Sequence, residues 1–214
     1  VKGRSAADMR DFLQSLQGRH KVKVVCIDMN SAYRRLVREW FPNARIVADR
    51  FHVIRLVNQH FSELCKAIDE KQLAHGRGGM MRLLLTRRDR LTDLQKERLR
   101  TYFAGRPDIE SLYEFLHDTA DLLRVRAQSV DSCRRYVAEL LDKIEQLRKT
   151  SFAPLRTLGK TLHNWREEVA RMFRFTRNNG ITEGFHRKMK LIQRRAYGFR
   201  NFENYRLRVR VLCC

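Results

Sequence analysis

Hydrophobic and polar residues divide the chain into three stretches of different character. Met9, Phe12, Leu13 and Leu16 fall on one side of a helix over residues 5–17, with Gly18 as its stop. "KVKVVCIDM", Lys21 to Met29, is a short apolar run rich in β-branched residues, which predicts a strand buried on both faces and ending at Asp28. "NSAYRRLVREWF" predicts a helix capped by Asn30 or Ser31, with Tyr33, Leu36, Val37 and Trp40 along one side. "ARIVAD" predicts a second strand ending at Asp49. The helix after it carries Phe51, Ile54, Val57, Phe61, Leu64 and Ile68 at near-helical spacing. Strand–helix–strand–helix order is the signature of an α/β unit with a parallel pair and a right-handed crossover.

From about residue 70 the pattern is wholly helical. "HGRGG", His75 to Gly79, reads as a break, and it lacks the glycine–lysine spacing of a phosphate loop. Helices are predicted over Asp93 to Phe103 and from Pro107 onward. Ser129 to Leu147 repeats through Cys133, Tyr136, Val137, Leu140, Leu141, Ile144 and Leu147. Leu155 to Phe173 repeats through Leu158, Leu162, Trp165, Val169 and Met172. These stripes are read as bundle core rather than as a cofactor box. After a turn at Asn178-Asn179-Gly180, Thr182 is the expected N-cap of a helix running to about Ala196, with Glu183 in its first turn. Phe185, Met189 and Ile192 give that helix an apolar side. Glu183, Arg187, Lys190 and Arg194 fall on another.

Charge changes the picture. The 214 residues hold 45 Lys+Arg against 24 Asp+Glu, a net charge of +21. Such an excess calls for a polyanion, and nucleic acid is the first candidate. A very soluble or ribosome-like protein is the bland alternative. No apolar run approaches the length of a membrane span, and a membrane surface is the weaker partner because no long amphipathic basic segment carries a clean Trp/Leu face. The five cysteines include no C-x-x-C pair, so a zinc ribbon is not indicated, and a reduced, cytoplasmic protein is expected. Between Arg187 and Arg210 there are nine Lys/Arg and a single acid, Glu203. Tyr197, Phe199, Phe202 and Tyr205 are interleaved with them. Arg187, Lys188, Lys190, Arg194, Arg195, Arg200 and Arg206 are read as DNA-facing and the aromatics as mostly core.

Three acids stand out: Asp28 and Asp49 at strand ends, and Glu183 beside the basic stripe. Ligand sites on parallel sheets gather beyond the carboxyl ends of the strands. Strand-end aspartates also serve as helix caps, so each has two readings. Carboxylate oxygens suit Mg²⁺ or Mn²⁺, and two such ions can clamp the attacking and leaving oxygens of phosphoryl transfer. His52 can orient Asp49, contact a phosphate or a DNA base, or simply be a satisfied polar residue at a helix start.

Two blocks, "VVCIDMNSAYRRLVREWFPNARIVADRFHVIRLVNQHF" and "NNGITEGFHRKMKLIQRRAYGFRNFENYRLRVRVL", resemble the catalytic domain of DDE transposases of bacterial insertion sequences, of the ISL3 group. The resemblance implies an RNase H-like core in the α/β class. Its second half would span residues 1–69, an all-α insertion 70–175, and a catalytic helix with a basic tail 176–214. It implies Asp28 and Glu183 as catalytic, metal-binding carboxylates, and Asp49 and His52 as auxiliaries. It also implies transposon-end and target DNA as partners, and a homo-oligomer assembled on that DNA. His186 departs from the pattern, which often has Asn there. Only 27 residues precede Asp28 and they read as a helix, so a first metal-binding Asp is not found. The chain is therefore expected to be part of such an enzyme and inactive alone. A non-enzymatic helical nucleic-acid-binding protein, or a nuclease on the same core, are the alternatives.

Overall fold

The computed structural model describes residues 6–73, 79–175 and 180–213; the side chains of residues 6, 72, 180–183, 186 and 213 lie outside that description. Residues 1–176 and 177–214 form two separate units. The first opens with α1 (Ala6–Ser15), β1 (Val24–Ile27), α2 (Ser31–Trp40), β2 (Arg45–Ala48) and α3 (Arg50–Ile68). The strands pair in parallel, Val24 opposite Arg45 through Ile27 opposite Ala48, with α2 as the crossover. The α/β order read from the sequence is thus present.

β1 is shorter than its apolar run and follows a 3₁₀ turn at Arg19–Lys21. It is not buried on both faces: of its four residues only Ile27 is buried, whereas Ile46, Val47 and Ala48 of β2 all are. Among the described residues the sheet has two strands, so little covers β1.

Helices follow: α4 (Glu70–Leu73), α5 (Met80–Leu84), α6 (Asp93–Phe103), α7 (Pro107–Arg124), α8 (Val130–Lys149), α9 (Ala153–Asn164) and α10 (Arg166–Ala170). The HGRGG break falls mostly outside the described residues. Local signals set several boundaries. Thr92 and Gln95 form a reciprocal capping box at the start of α6, and Ser129 accepts from the Ser132 amide at the start of α8. Pro107 occupies the first turn of α7, where its missing N–H has no helical partner to lose.

The principal core joins the α/β segment to these helices. Val53, Val57, Phe61 and Leu64 of α3 pack with residues of β2, α7, α8, α9 and α10 in one cluster. Burying each such side chain contributes about 1.5–3 kcal/mol. A second cluster lies under α5 and α6, around Tyr102, Phe103 and Ile109. Where α8 meets α9, a Cβ on Gly159 would sit 2.7 Å from the Arg148 backbone nitrogen, so the contact admits only glycine.

The structure departs from the sequence expectations in two respects. The stripe from Leu155 to Phe173 is not one helix: the chain leaves α9 at Trp165 (φ −108°, ψ 11°) and continues as α10 and a 3₁₀ turn at Arg171–Phe173. Leu158, Leu162, Trp165, Val169 and Met172 are all buried nonetheless. Phe51 and Ile68 of α3 and Leu141 of α8 are exposed, and Val53 holds the core position expected of Phe51.

The second unit is a pair of helices, α11 (Gly180–Arg195) and α12 (Phe202–Cys213), which contact each other. Thr182 lies inside α11, not at its N-cap. The predicted turn before it falls largely outside the described residues. The aromatics are not core: Tyr197 is fully exposed and Phe202 is exposed, with Phe199 and Phe202 grouped around Tyr205 at ring separations of 5.2 and 6.4 Å. Two helices enclose too little volume to bury four rings.

Candidate active site

The parallel register sets the geometry. Ile27 and Ala48 are opposite each other, so Asp28 and Asp49 leave the two strands side by side at their carboxyl ends. The Asp49 amide continues the ladder by donating to the Ile27 carbonyl at 2.8 Å. Beyond Asp28 the chain turns tightly, the Asn30 amide donating to the Asp28 carbonyl at 2.6 Å. Asn30, rather than Ser31, caps α2 by accepting from the Ala32 and Tyr33 amides. That cap leaves the Asp28 side chain, half exposed, out of the hydrogen bonding at the helix start.

Asp49 caps the next helix and also faces His52. One oxygen, Oδ1, accepts from the Phe51 amide at 2.9 Å and caps α3. The other, Oδ2, lies 3.5 Å from Nδ1 of His52, one turn into the helix. The same nitrogen lies 2.9 Å from Asp28 Oδ1. Both are charge-contact distances, but neither approach has the direction of a hydrogen bond. Phe51 sets its ring edge-on to His52 at 5.4 Å.

The corner is electronegative. Cys26, two residues before Asp28 on β1, has its thiol pushed up to about 11 by burial, then by the Asp49 and Asp28 carboxylates. It stays protonated at neutral pH and is a poor nucleophile. Cys26, Cys65 and Cys133 are free thiols. In the sequence Cys26 read only as a redox marker. Its alternation with Asp28 along the strand was the signal that ties it to the site.

Asp28, Asp49 and His52 offer ligand atoms that all lie within 4.8 Å of one another. Among the described residues this is the one group of three or more acidic, histidine or cysteine side chains with such spacing. Two carboxylates fit a hard divalent cation. An imidazole beside them is tolerated better by Mn²⁺ than by Mg²⁺.

The remaining candidates lie in the second unit. Glu183 is the fourth residue of α11, but its side chain is outside the described residues. Arg187, Lys188, Lys190, Arg194, Arg195, Arg200 and Arg206 are all exposed. Arg206 lies 3.5 Å from Glu203. Among the described residues the other six have no ion pair.

Several arginines that sequence reading left as general charge hold the site's scaffold instead. Arg34 of α2 donates from Nε to Glu168 Oε1 at 2.8 Å and from Nη2 to Oε2, and also to the Asn164 carbonyl. Its guanidinium lies over the Trp165 ring, 3.9 Å from the centroid. Arg50, the first residue of α3, donates to the carbonyls of Arg124, Val125 and Met172. Burial and then nearby Arg126 lower its pKa. Arg171 donates to the Ile46 carbonyl in β2. Through these bonds α7, α10 and the 3₁₀ turn after it set the position of the strand ends and of the first turn of α3. No sequence signal separates such arginines from surface ones.

Among the described residues no helix is long and apolar enough to cross a membrane. A family profile described as transposase, of the ISL3 type with the DDE signature, matches residues 1–209. The transposase for insertion sequence element IS1001 of Bordetella parapertussis is 28% identical over 216 residues, covering 97% of this chain and 52% of that protein. The chain thus spans about half the length of the curated relative it matches. No solved structure matches it.

Proposed function

The chain belongs to the ISL3 family of DDE transposases, and on that premise we propose that it is part of a metal-dependent catalytic domain that cuts DNA strands and joins them in the transposition of an insertion sequence. The observation that carries this reading is the convergence of Asp28, Asp49 and His52 at the carboxyl edge of the parallel pair. The β1–α2–β2 unit is what the second half of an RNase H-like core contributes, over residues 1–69. Residues 70–175 act as an all-α insertion, and residues 176–214 bring the catalytic helix and basic tail that complete the core.

Asp28 and Glu183 are two of the carboxylates that hold Mg²⁺ or Mn²⁺. Such ions, when bound, neutralise phosphate charge and lower the pKa of an attacking water or 3′-hydroxyl. Asp28 suits this role because its side chain is half exposed and the adjoining helix is capped by Asn30 instead. Asp49 is an auxiliary: it fixes the start of α3 and with it the position of His52. His52 is the other auxiliary: its Nδ1 lies close to both carboxylates, where it bears on the charge at this corner. The exposed arginines and lysines of α11 and α12 hold transposon-end and target DNA by displacing phosphate counterions. The active form is a homo-oligomer assembled on that DNA in the cytoplasm. These 214 residues carry two of three metal-binding carboxylates, so alone they bind DNA without cutting it.

The test is made in a complete transposase carrying these residues. Asp28→Asn abolishes cleavage and leaves DNA affinity essentially unchanged. Arg194→Ala weakens binding and lowers its salt slope by about 1. Undiminished cleavage by the Asp28 variant refutes the assignment. Products that are hydrolysed but never joined identify a nuclease on the same core.

A further inference from the structure

The turn between α11 and α12 holds a large aromatic ring in solvent. The Ala196 amide donates to the Ile192 carbonyl, Tyr197 to Arg194 and Gly198 to Gln193, at 3.0–3.1 Å, and the helix ends there. Gly198 takes φ 98°, in the region glycine favours. Tyr197 takes φ 51°, the one positive value at a non-glycine among the described residues. A bulky side chain is uncommon there, where Asn or Gly is usual. Its ring is fully exposed, so this conformation brings the fold no burial in return. Backbone strain without a packing gain is characteristic of a binding position.

Beside it lies an open cleft of about 680 Å³, lined by Arg195, Tyr197, Phe199, Asn204, Leu207 and Arg208. That size falls within the range of small-ligand sites. Phe199 is braced against Tyr205 at 5.2 Å. Arg195 and Arg208 are exposed and have no ion pair among the described residues. A ring open on its face, beside two free guanidiniums, matches a base with its flanking phosphates. In paired duplex the base faces are covered by their neighbours. Only an unpaired or extruded base offers a face to Tyr197.

We propose that this turn binds an unpaired nucleotide of the DNA, with Tyr197 stacking on the base and Arg195 and Arg208 holding the adjoining phosphates. The proposal rests on the reading that this protein works on DNA. It adds a stacking site to what the charge alone implies.

The 214-residue chain is titrated by fluorescence anisotropy with two short labelled duplexes of equal sequence, one fully paired and one with a single unpaired adenine. Binding to the second is expected to be about 5- to 150-fold tighter, the range of one base–aromatic stack. Tyr197→Ala abolishes that preference with affinity for the paired duplex retained, and Tyr197→Trp keeps it. Arg208→Ala weakens binding to both and lowers the salt slope by about 1. Circular dichroism confirms that each variant keeps its helix content. Equal affinity of the unaltered chain for the two duplexes overturns the proposal, as does a preference that survives Tyr197→Ala or a Tyr197→Ala loss equal on both duplexes. A chain that binds neither duplex overturns the DNA reading itself. Salt-dependent binding without preference overturns only the stacking site.

Discussion

Asp49 offers a way to separate two roles carried by one side chain. Oδ1 caps α3 through the Phe51 amide and Oδ2 faces His52. Asp49→Ala removes both. Loss of an N-cap costs about 1 kcal/mol, rising to about 2 for a charged acceptor in a buried setting such as this. In a protein of this size, about 2–4 °C of melting temperature follows each kcal/mol, so Asp49→Ala is expected to melt about 2–8 °C lower. Asp49→Asn keeps an amide oxygen where Oδ1 stands. Asn caps about as well as Asp, so the cost should stay below about 0.5 kcal/mol. Relief of repulsion from Asp28 offsets part of even that. Both substitutions remove the charge opposite His52, so both weaken a divalent cation at this corner, though less than Asp28→Asn does. The assays are thermal denaturation followed by circular dichroism and Mn²⁺ titration followed by calorimetry. Asp49→Asn melting as low as Asp49→Ala refutes the cap. Mn²⁺ binding unchanged in Asp49→Asn shows that the Asp49 charge takes no part in holding the cation.

Two further predictions concern the scaffold. Arg34→Met leaves the buried Glu168 carboxylate without its main partner and is expected to cost about 3–5 kcal/mol in urea denaturation. The double variant Arg34→Met/Glu168→Met recovers most of that loss, because the cost lies in the stranded charge. Gly159→Ala drives a methyl into the Leu147–Arg148 backbone and is expected to cost about 1–3 kcal/mol by the same measurement. A neutral result shows that α8 and α9 can separate freely.

The elements read correctly are those whose signals are local. α6 runs from Asp93 to Phe103 as its pattern predicts, because Thr92 and Gln95 close the capping box within four residues. Pro107 and Ser129 mark helix starts for the same reason. The α9–α10 break was not legible. The 3₁₀ and α segments keep the same residues on the buried side, so the apolar period crosses the break unchanged. What distinguishes Trp165 is Arg34 lying on its ring, from a residue far away in the chain. The shift from Phe51 to Val53 in α3 has a similar cause. The first turn of that helix faces the carboxylate corner, and Phe51 lies against His52 instead of entering the core. The aromatics of α12 and the turn before it read as core because sequence does not say how few elements surround them.

By itself the sequence determined the α/β order at the start, the helical run after it, the basic aromatic end, and the acids at both strand ends. Each of these is encoded by residues within a turn or two of one another, through periodicity, caps and β-branching. Only the tertiary structure decided that Asp28, Asp49 and His52 meet. That depends on the register of two strands separated by a helix, and a slip of one residue turns a carboxylate to the other face. It also decided which arginines are scaffold and which lie exposed. An arginine's role follows from the carbonyls and carboxylates that packing brings to it, and those of Arg34, Arg50 and Arg171 come from distant parts of the chain.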